Sequence, residues 1–124
     1  MKIRMAMIGG GTGSFIGPVH RMAAALDGEC ELVAAALSSD TENAVASGRQ
    51  IGLSDDRIYT DWQTMIDTEK LKPAGIRPHF MAIVTPNFLH YHQAAESLKA
   101  GFNVLCDKPL CMTVAEAEEL RNIV

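Results

Sequence analysis

Residues Lys2 to Ala24 read KIRMAMIGGGTGSFIGPVHRMAA, and this stretch decides how the rest of the chain is read. A short apolar run, Ile3 to Ile8, meets five glycines within the nine residues Gly9 to Gly17. A helical pattern follows at once, with Pro18 in its first turn, where a missing N–H costs nothing. A strand that ends in glycines and feeds a helix makes a phosphate site. The first N–H groups of the helix lack intrahelical partners, and the helix dipole favours negative charge there. Glycine is needed because side chains at the turn would block a pyrophosphate.

Outward from this stretch, short apolar runs alternate with helical segments, as βαβ units do. The first helix is expected to run to about Leu26 and to stop at Asp27-Gly28. A second strand is expected from Glu31 to Leu37. Ser39 and Glu42 then form a capping box for a helix that ends near Gly52. Arg57 to Tyr59 is a short third-strand candidate. Thr60 and Gln63 give a further cap signal ahead of Trp62, Met65 and Ile66, and Asp67 to His79 reads as loop. His79 to Val84 is a strand buried on both faces, with Asn87 as cap of the next helix. That helix carries Phe88, Tyr91, Ala95 and Leu98 and closes at Gly101. Asn103 to Cys106 is the fifth strand, and Thr113 with Glu116 opens a last helix. Right-handed crossovers then predict an α/β, doubly wound parallel sheet of about five strands in the order 3-2-1-4-5, in one domain over residues 1–124. Every strand C-terminus shares one edge in that arrangement, so the chemistry is sought after Ile8, Leu37, Val84 and Cys106.

Composition narrows the function classes. The chain has 124 residues, 48% hydrophobic and 21% charged, with a formal net charge of −4. Basic residues form no cluster, so no nucleic-acid partner is expected. No apolar run nears the roughly 20 residues that span a bilayer, and the N-terminus opens as a strand rather than a signal peptide. The three cysteines, Cys30, Cys106 and Cys111, are irregularly spaced and read as free thiols of a reducing cytoplasm. Cys106 and Cys111 have no second pair at zinc-site spacing, so no metal is expected. The methionines read as core filling.

The glycine loop departs from the six-residue dinucleotide fingerprint. Gly9 and Gly11 supply G-x-G, but Ser14 stands where a third glycine belongs, and Gly17 looks like that glycine displaced by three residues. No carboxylate sits at the tip of the second strand to grip a ribose 2′-hydroxyl; the tip reads Ala36-Leu37-Ser38-Ser39-Asp40. Ser38 and Ser39 could bond a ribose hydroxyl or a 2′-phosphate, so NAD and NADP both stay open.

Two further motifs lie at strand ends: TPNFLHYHQAA from Thr85, and LCDKPL from Leu105. With the glycine loop and the Val19-His20-Arg21 step, the set resembles the glucose–fructose oxidoreductase, inositol dehydrogenase and rhizopine catabolism family (Gfo/Idh/MocA) along essentially the whole chain. The resemblance implies a Rossmann-like, NAD(P)-binding domain of an oxidoreductase. Hydride would pass between nicotinamide and a sugar, polyol or cyclitol-like substrate. The pyrophosphate is expected over Gly9, Gly11, Thr12, Gly13, Ser14, Phe15, Ile16 and Gly17, and the adenosine ribose beside Ser38 and Ser39. Thr85, Pro86, Asn87 and His90 match the family's Thr-Pro-Asn-x-x-His, which lines the ribose and nicotinamide. Asp107, Lys108 and Pro109 match its Glu-Lys-Pro with Asp for Glu, and Lys108 takes the place of the lysine beside nicotinamide and substrate. A cation there can hold a reacting hydroxyl or carbonyl and stabilise developing negative charge. His20 matches a family histidine, with packing and cofactor contact both open, whereas His79 and His92 read as surface residues.

Members of that family are about three times as long, and the half that forms the substrate pocket has no counterpart in these 124 residues. The chain alone is therefore expected to bind cofactor and not to turn over. The expected partners are a small-molecule substrate in a longer parent and a second copy of the chain. The alternative reading is a non-catalytic dinucleotide-binding module that senses or scaffolds.

Overall fold

The structure is a computed structural model and describes all 124 residues. Four strands carry the fold: β1 (Ile3–Ile8), β2 (Cys30–Ala36), β3 (Phe80–Ile83) and β4 (Asn103–Cys106). Five helices connect and follow them: α1 (Ile16–Ala25), α2 (Thr41–Gln50), α3 (Trp62–Glu69), α4 (His90–Lys99) and α5 (Val114–Ile123). All pairings are parallel, in the order β2-β1-β3-β4. The expected α/β doubly wound architecture is present. The expected five strands in the order 3-2-1-4-5 are not.

The difference lies at Arg57 to Tyr59. Asp55–Arg57 winds into a 3-10 turn, and only Ile58 reaches the sheet, as a single parallel bridge to Ala35. Tyr59 N–H still donates to the Ala35 carbonyl at 2.8 Å. The missing strand thus leaves a remnant where it was expected, on the outer edge of β2. Side chains hold it instead of a ladder. Arg57 donates through Nε and Nη2 to both oxygens of the fully buried Glu69, each at 2.8 Å, and Tyr59 Oη donates to Glu69 Oε1 at 2.7 Å.

Helix starts shift by one residue from expectation. Asp40, not Ser39, caps α2 by accepting from Asn43 N–H, and Asp61, not Thr60, caps α3 by accepting from Thr64 N–H. Thr113 caps α5 as expected. Asn87 caps nothing: Asn87–Leu89 is a 3-10 turn, and α4 begins at His90. Helix α3 also runs to Glu69, into the stretch read as loop.

Strands buried on both faces explain the unbroken apolar runs. On one face Ala6, Ile8, Ala34, Met81 and Ile83 meet Met65 and Ile66 of α3, Ala94 and Ala95 of α4 and Leu120 of α5. On the other, Met5, Met7, Ala35, Ala82 and Val84 pack with Ile16 and Ala24 of α1. No helix is long and apolar enough to cross a membrane. His79, read as a surface residue, is instead tied to the first strand: its Nδ1 accepts from Arg4 N–H at 2.9 Å.

Candidate functional site

The C-terminal ends of β1, β2 and β3 open into a crevice of about 790 Å³. Its floor is the glycine loop. Gly9 and Gly10 take φ of +82° and +89°, a backbone that side chains rarely adopt. Gly9 N–H donates to the Ala36 carbonyl at 2.8 Å and Gly11 N–H to the Leu37 carbonyl at 2.9 Å, so the loop is laced to the end of β2. Ser14 N–H donates to the Gly11 carbonyl at 2.9 Å. The amides of Gly10, Gly13, Phe15 and Ile16 carry no hydrogen bond within the chain; in the first turn of α1 only Gly17 N–H meets a side chain, donating to Ser14 Oγ at 3.4 Å. Free amides at the start of a helix are what an anion needs.

Gly17 answers the question of the displaced third glycine. A Cβ built there would stand 2.3 Å from Gly10 Cα and 2.8 Å from the Gly10 carbonyl oxygen. Its absence lets α1 close against the loop. Arg21 braces the same place, donating from Nη1 to the Gly10 carbonyl at 2.8 Å; burial holds its guanidinium below the ordinary arginine range.

A second support comes from α2. Thr12 N–H donates to Ser47 Oγ at 2.9 Å, Ser47 Oγ donates to Asn43 Oδ1 at 2.6 Å, and Asn43 Nδ2 donates to the Thr12 carbonyl at 3.0 Å. Sequence reasoning missed Asn43 and Ser47. They are four residues apart and so share one face of α2, but nothing in that spacing names the loop they hold.

Of the residues singled out from sequence, Gly9, Gly11, Thr12, Ser14, Ser38, Ser39, Thr85 and Pro86 line the crevice. Thr60, Asp61 and Trp62 line it too and were not anticipated. They follow the remnant strand, so the shared-edge rule pointed to them as well. The lining contains no lysine, arginine or histidine, and its one carboxylate is Asp61.

At the opposite end, Thr85 Oγ1 donates to Gln93 Oε1 at 2.5 Å. His90 does not face the crevice. It is 1% exposed, with Nδ1 2.6 Å from the Pro109 carbonyl oxygen and Nε2 2.8 Å from that of Thr85. The histidine therefore sits between two backbone turns rather than against a ligand, and donates to one of the two carbonyls. Asn87 is exposed on its 3-10 turn. Asp107 N–H donates to the Ile83 carbonyl at 3.0 Å, and Asp107 Oδ1 accepts from His20 Nε2 at 3.0 Å. Lys108, beyond the end of β4, is exposed and makes no side-chain hydrogen bond or ion pair. The Lys108–Pro109 peptide is cis. Just before this turn, burial, and then the charge of Asp107, pushes the Cys106 thiol up to about 11, which keeps it protonated and unreactive at neutral pH.

The sequence pattern of the family described as "Oxidoreductase family, NAD-binding Rossmann fold" (GFO_IDH_MocA) matches residues 3–124. The chain belongs to that family. Among Gfo/Idh/MocA relatives, the uncharacterized oxidoreductase YfiI of Bacillus subtilis is 38% identical over 120 residues, covering 96% of this chain and 30% of the relative. An oxidoreductase structure from Sinorhizobium meliloti is 49% identical, with a TM-score of 0.89 over 99% of this chain and 34% of that one. An inositol dehydrogenase homolog from Azotobacter vinelandii, solved with NAD+, is 41% identical, with a TM-score of 0.93 over 99% of this chain and 31% of that one. The same homolog has also been solved with NADH and myo-inositol. The chain thus spans about a third of the length of these relatives, and what it matches is the NAD-binding Rossmann fold of this oxidoreductase family.

Proposed function

We propose that this domain serves a dehydrogenase that prefers NAD to NADP and acts on a sugar, polyol or cyclitol-like alcohol. The observation that carries the reading is the pairing, on one sheet edge, of a glycine loop with unbonded amides and a lysine with no partner. A module that only bound dinucleotide would need the first and not the second. The relative solved with NADH and myo-inositol supports the substrate class.

The residues would divide the work along this sheet edge, in the crevice and at its rim. Amides of Gly10, Gly13, Phe15 and Ile16 would take the pyrophosphate oxygens, and Ser38 and Ser39 the adenosine ribose. Thr85 and Pro86 would border the nicotinamide ribose. When bound, nicotinamide accepts or gives a hydride at C4; the substrate alcohol becomes a carbonyl and releases a proton, or the reverse. Lys108 would hold the substrate oxygen and stabilise the negative charge that grows on it. The preference for NAD follows from charge. A 2′-phosphate at the ribose would meet Asp61 and no cation among the lining residues, and like charges there are unfavourable.

The test is a titration of the chain with NADH and with NADPH, followed by nicotinamide fluorescence. Saturable NADH binding is expected, at least tenfold tighter than NADPH. Gly11→Val should abolish it in a folded protein, because a Cβ at Gly11 already sits 3.0 Å from the Leu37 carbonyl oxygen and 3.2 Å from Ser47 Oγ. Equal affinity for both cofactors would remove the preference, and unchanged affinity in folded Gly11→Val would remove the site.

A further inference from the structure

We propose that His20 is a positioning residue: it sets where the Lys108 ammonium stands by holding Asp107, and it acts without touching the dinucleotide. The inference rests on the reading of Lys108 as the cation at the reacting carbon.

Lys108 is poorly constrained by its own contacts. Its side chain has no hydrogen-bond or ion-pair partner, and the sheet ends two residues before it at Cys106. A lysine is a point charge on a flexible four-carbon stem, so its useful position depends on how well its base is held. Contacts hold that base on each side, beside the backbone bond from Asp107 N–H to the Ile83 carbonyl. Behind it, the Pro109 carbonyl lies 2.6 Å from Nδ1 of buried His90, which also packs against the Thr85 turn. Ahead of it, Asp107 Oδ1 accepts from His20 Nε2 at 3.0 Å. The carboxylate can only accept, so Nε2 carries the hydrogen.

The His20 contact does two things. It joins the Lys108 turn to α1, the helix whose first turn carries the free amides, so the reacting end and the phosphate end share one frame. It also occupies the nearest carboxylate. Asp107 adjoins Lys108 in sequence, and an unheld Asp107 side chain could swing to the ammonium and neutralise it. No ion pair between them exists here; the carboxylate is turned to His20 instead. Both partners remain about a quarter exposed, 24% for His20 and 29% for Asp107, so either can be changed without opening the core. The other nearby charge on α1, Arg21, is committed to the Gly10 carbonyl.

The experiment uses the 124-residue chain with its lysines reductively methylated with carbon-13. The Lys108 resonance is assigned by its disappearance in Lys108→Arg. NAD+ is added to wild type, His20→Ala and His20→Gln, and its affinity is measured in parallel by calorimetry. In wild type, NAD+ is expected to shift the Lys108 signal. In His20→Ala the affinity should stay within threefold while the Lys108 shift falls by at least half. His20→Gln, whose side-chain N–H can still reach Asp107, should restore it. An unchanged Lys108 response in His20→Ala overturns the proposal. So does a loss of affinity that lowers every lysine response alike, because that marks His20 as merely structural. If NAD+ binds wild type and Lys108 does not respond at all, the reading of Lys108 fails first and this inference fails with it.

Discussion

At the scale of single residues, the sharpest demand in the site is for an absent atom. Gly17 faces Gly10 so closely that any Cβ would collide with backbone, which cannot rotate away as a side chain can. Gly17→Ala is therefore expected to push α1 off the loop, cost about 2 kcal/mol of stability as over-packed cores do, and lower NADH affinity at least tenfold. Urea unfolding and a fluorescence titration check the two effects. Undiminished affinity would show that the loop binds without close helix contact. This residue was legible in the sequence, because a glycine three places late in a fingerprint still asks for a reason. Asn43 and Ser47 were not, since polar residues on a helix look solvated until the loop that they hold has folded onto them. His90 was legible as important because the motif marks the position, but only the fold shows that it is buried with both ring nitrogens against backbone carbonyls.

At the scale of elements, two cap signals slipped by one residue for a common reason. Ser39 stands beside Asp40 and Thr60 beside Asp61, and in both pairs the carboxylate caps the helix. An ionised acceptor gains from the helix dipole what a hydroxyl does not. The third strand failed on different grounds. Its residues have the right composition, but Arg57 and Tyr59 are drawn to Glu69, and a 3-10 turn places them there. Burial and the Glu69 hydrogen bond raise the Tyr59 phenol well above its ordinary range, so it stays a donor at neutral pH. Glu69→Ala strips both donors of their acceptor and leaves Arg57, 13% exposed, without its partner. A loss of about 3 kcal/mol is expected in chemical denaturation, in line with a broken buried pair. A loss below about 1 kcal/mol would mean that water replaces the carboxylate and that the cluster is not a structural support.

For the whole molecule, the sheet has one bare margin. β4 pairs with β3 on one side and with nothing on the other. Leu105 and Leu110, each 49% exposed, and Val124, 90% exposed, line an apolar groove of about 540 Å³ along that margin. Open strand edges beside apolar surface invite pairing with another chain. Purified at high concentration, the 124-residue chain is expected to sediment as a dimer, and Leu105→Lys is expected to return it to a monomer. A wild-type monomer across the accessible concentration range would show that this edge does not self-pair. The general plan of the molecule was readable because glycine-ended strands and helix caps are local signals. That this margin stays bare was not, because which edge stays unpaired is decided by surfaces far apart in sequence.

The side-chain clasp that stands in for a third strand also bears on when the molecule opens. A ladder shares strain over many backbone bonds, whereas Arg57, Tyr59 and Glu69 concentrate it at one carboxylate, with a single bridge at Ile58 beside them. Thr60, Asp61 and Trp62 follow directly and form part of the crevice wall. Local fraying should begin there, below the temperature at which the sheet melts, and so loosen the end of the crevice proposed for adenosine before the opposite end. Occupancy works in the opposite sense: a dinucleotide that binds only the closed wall holds it closed, so the ligand supplies the restraint that the missing strand does not.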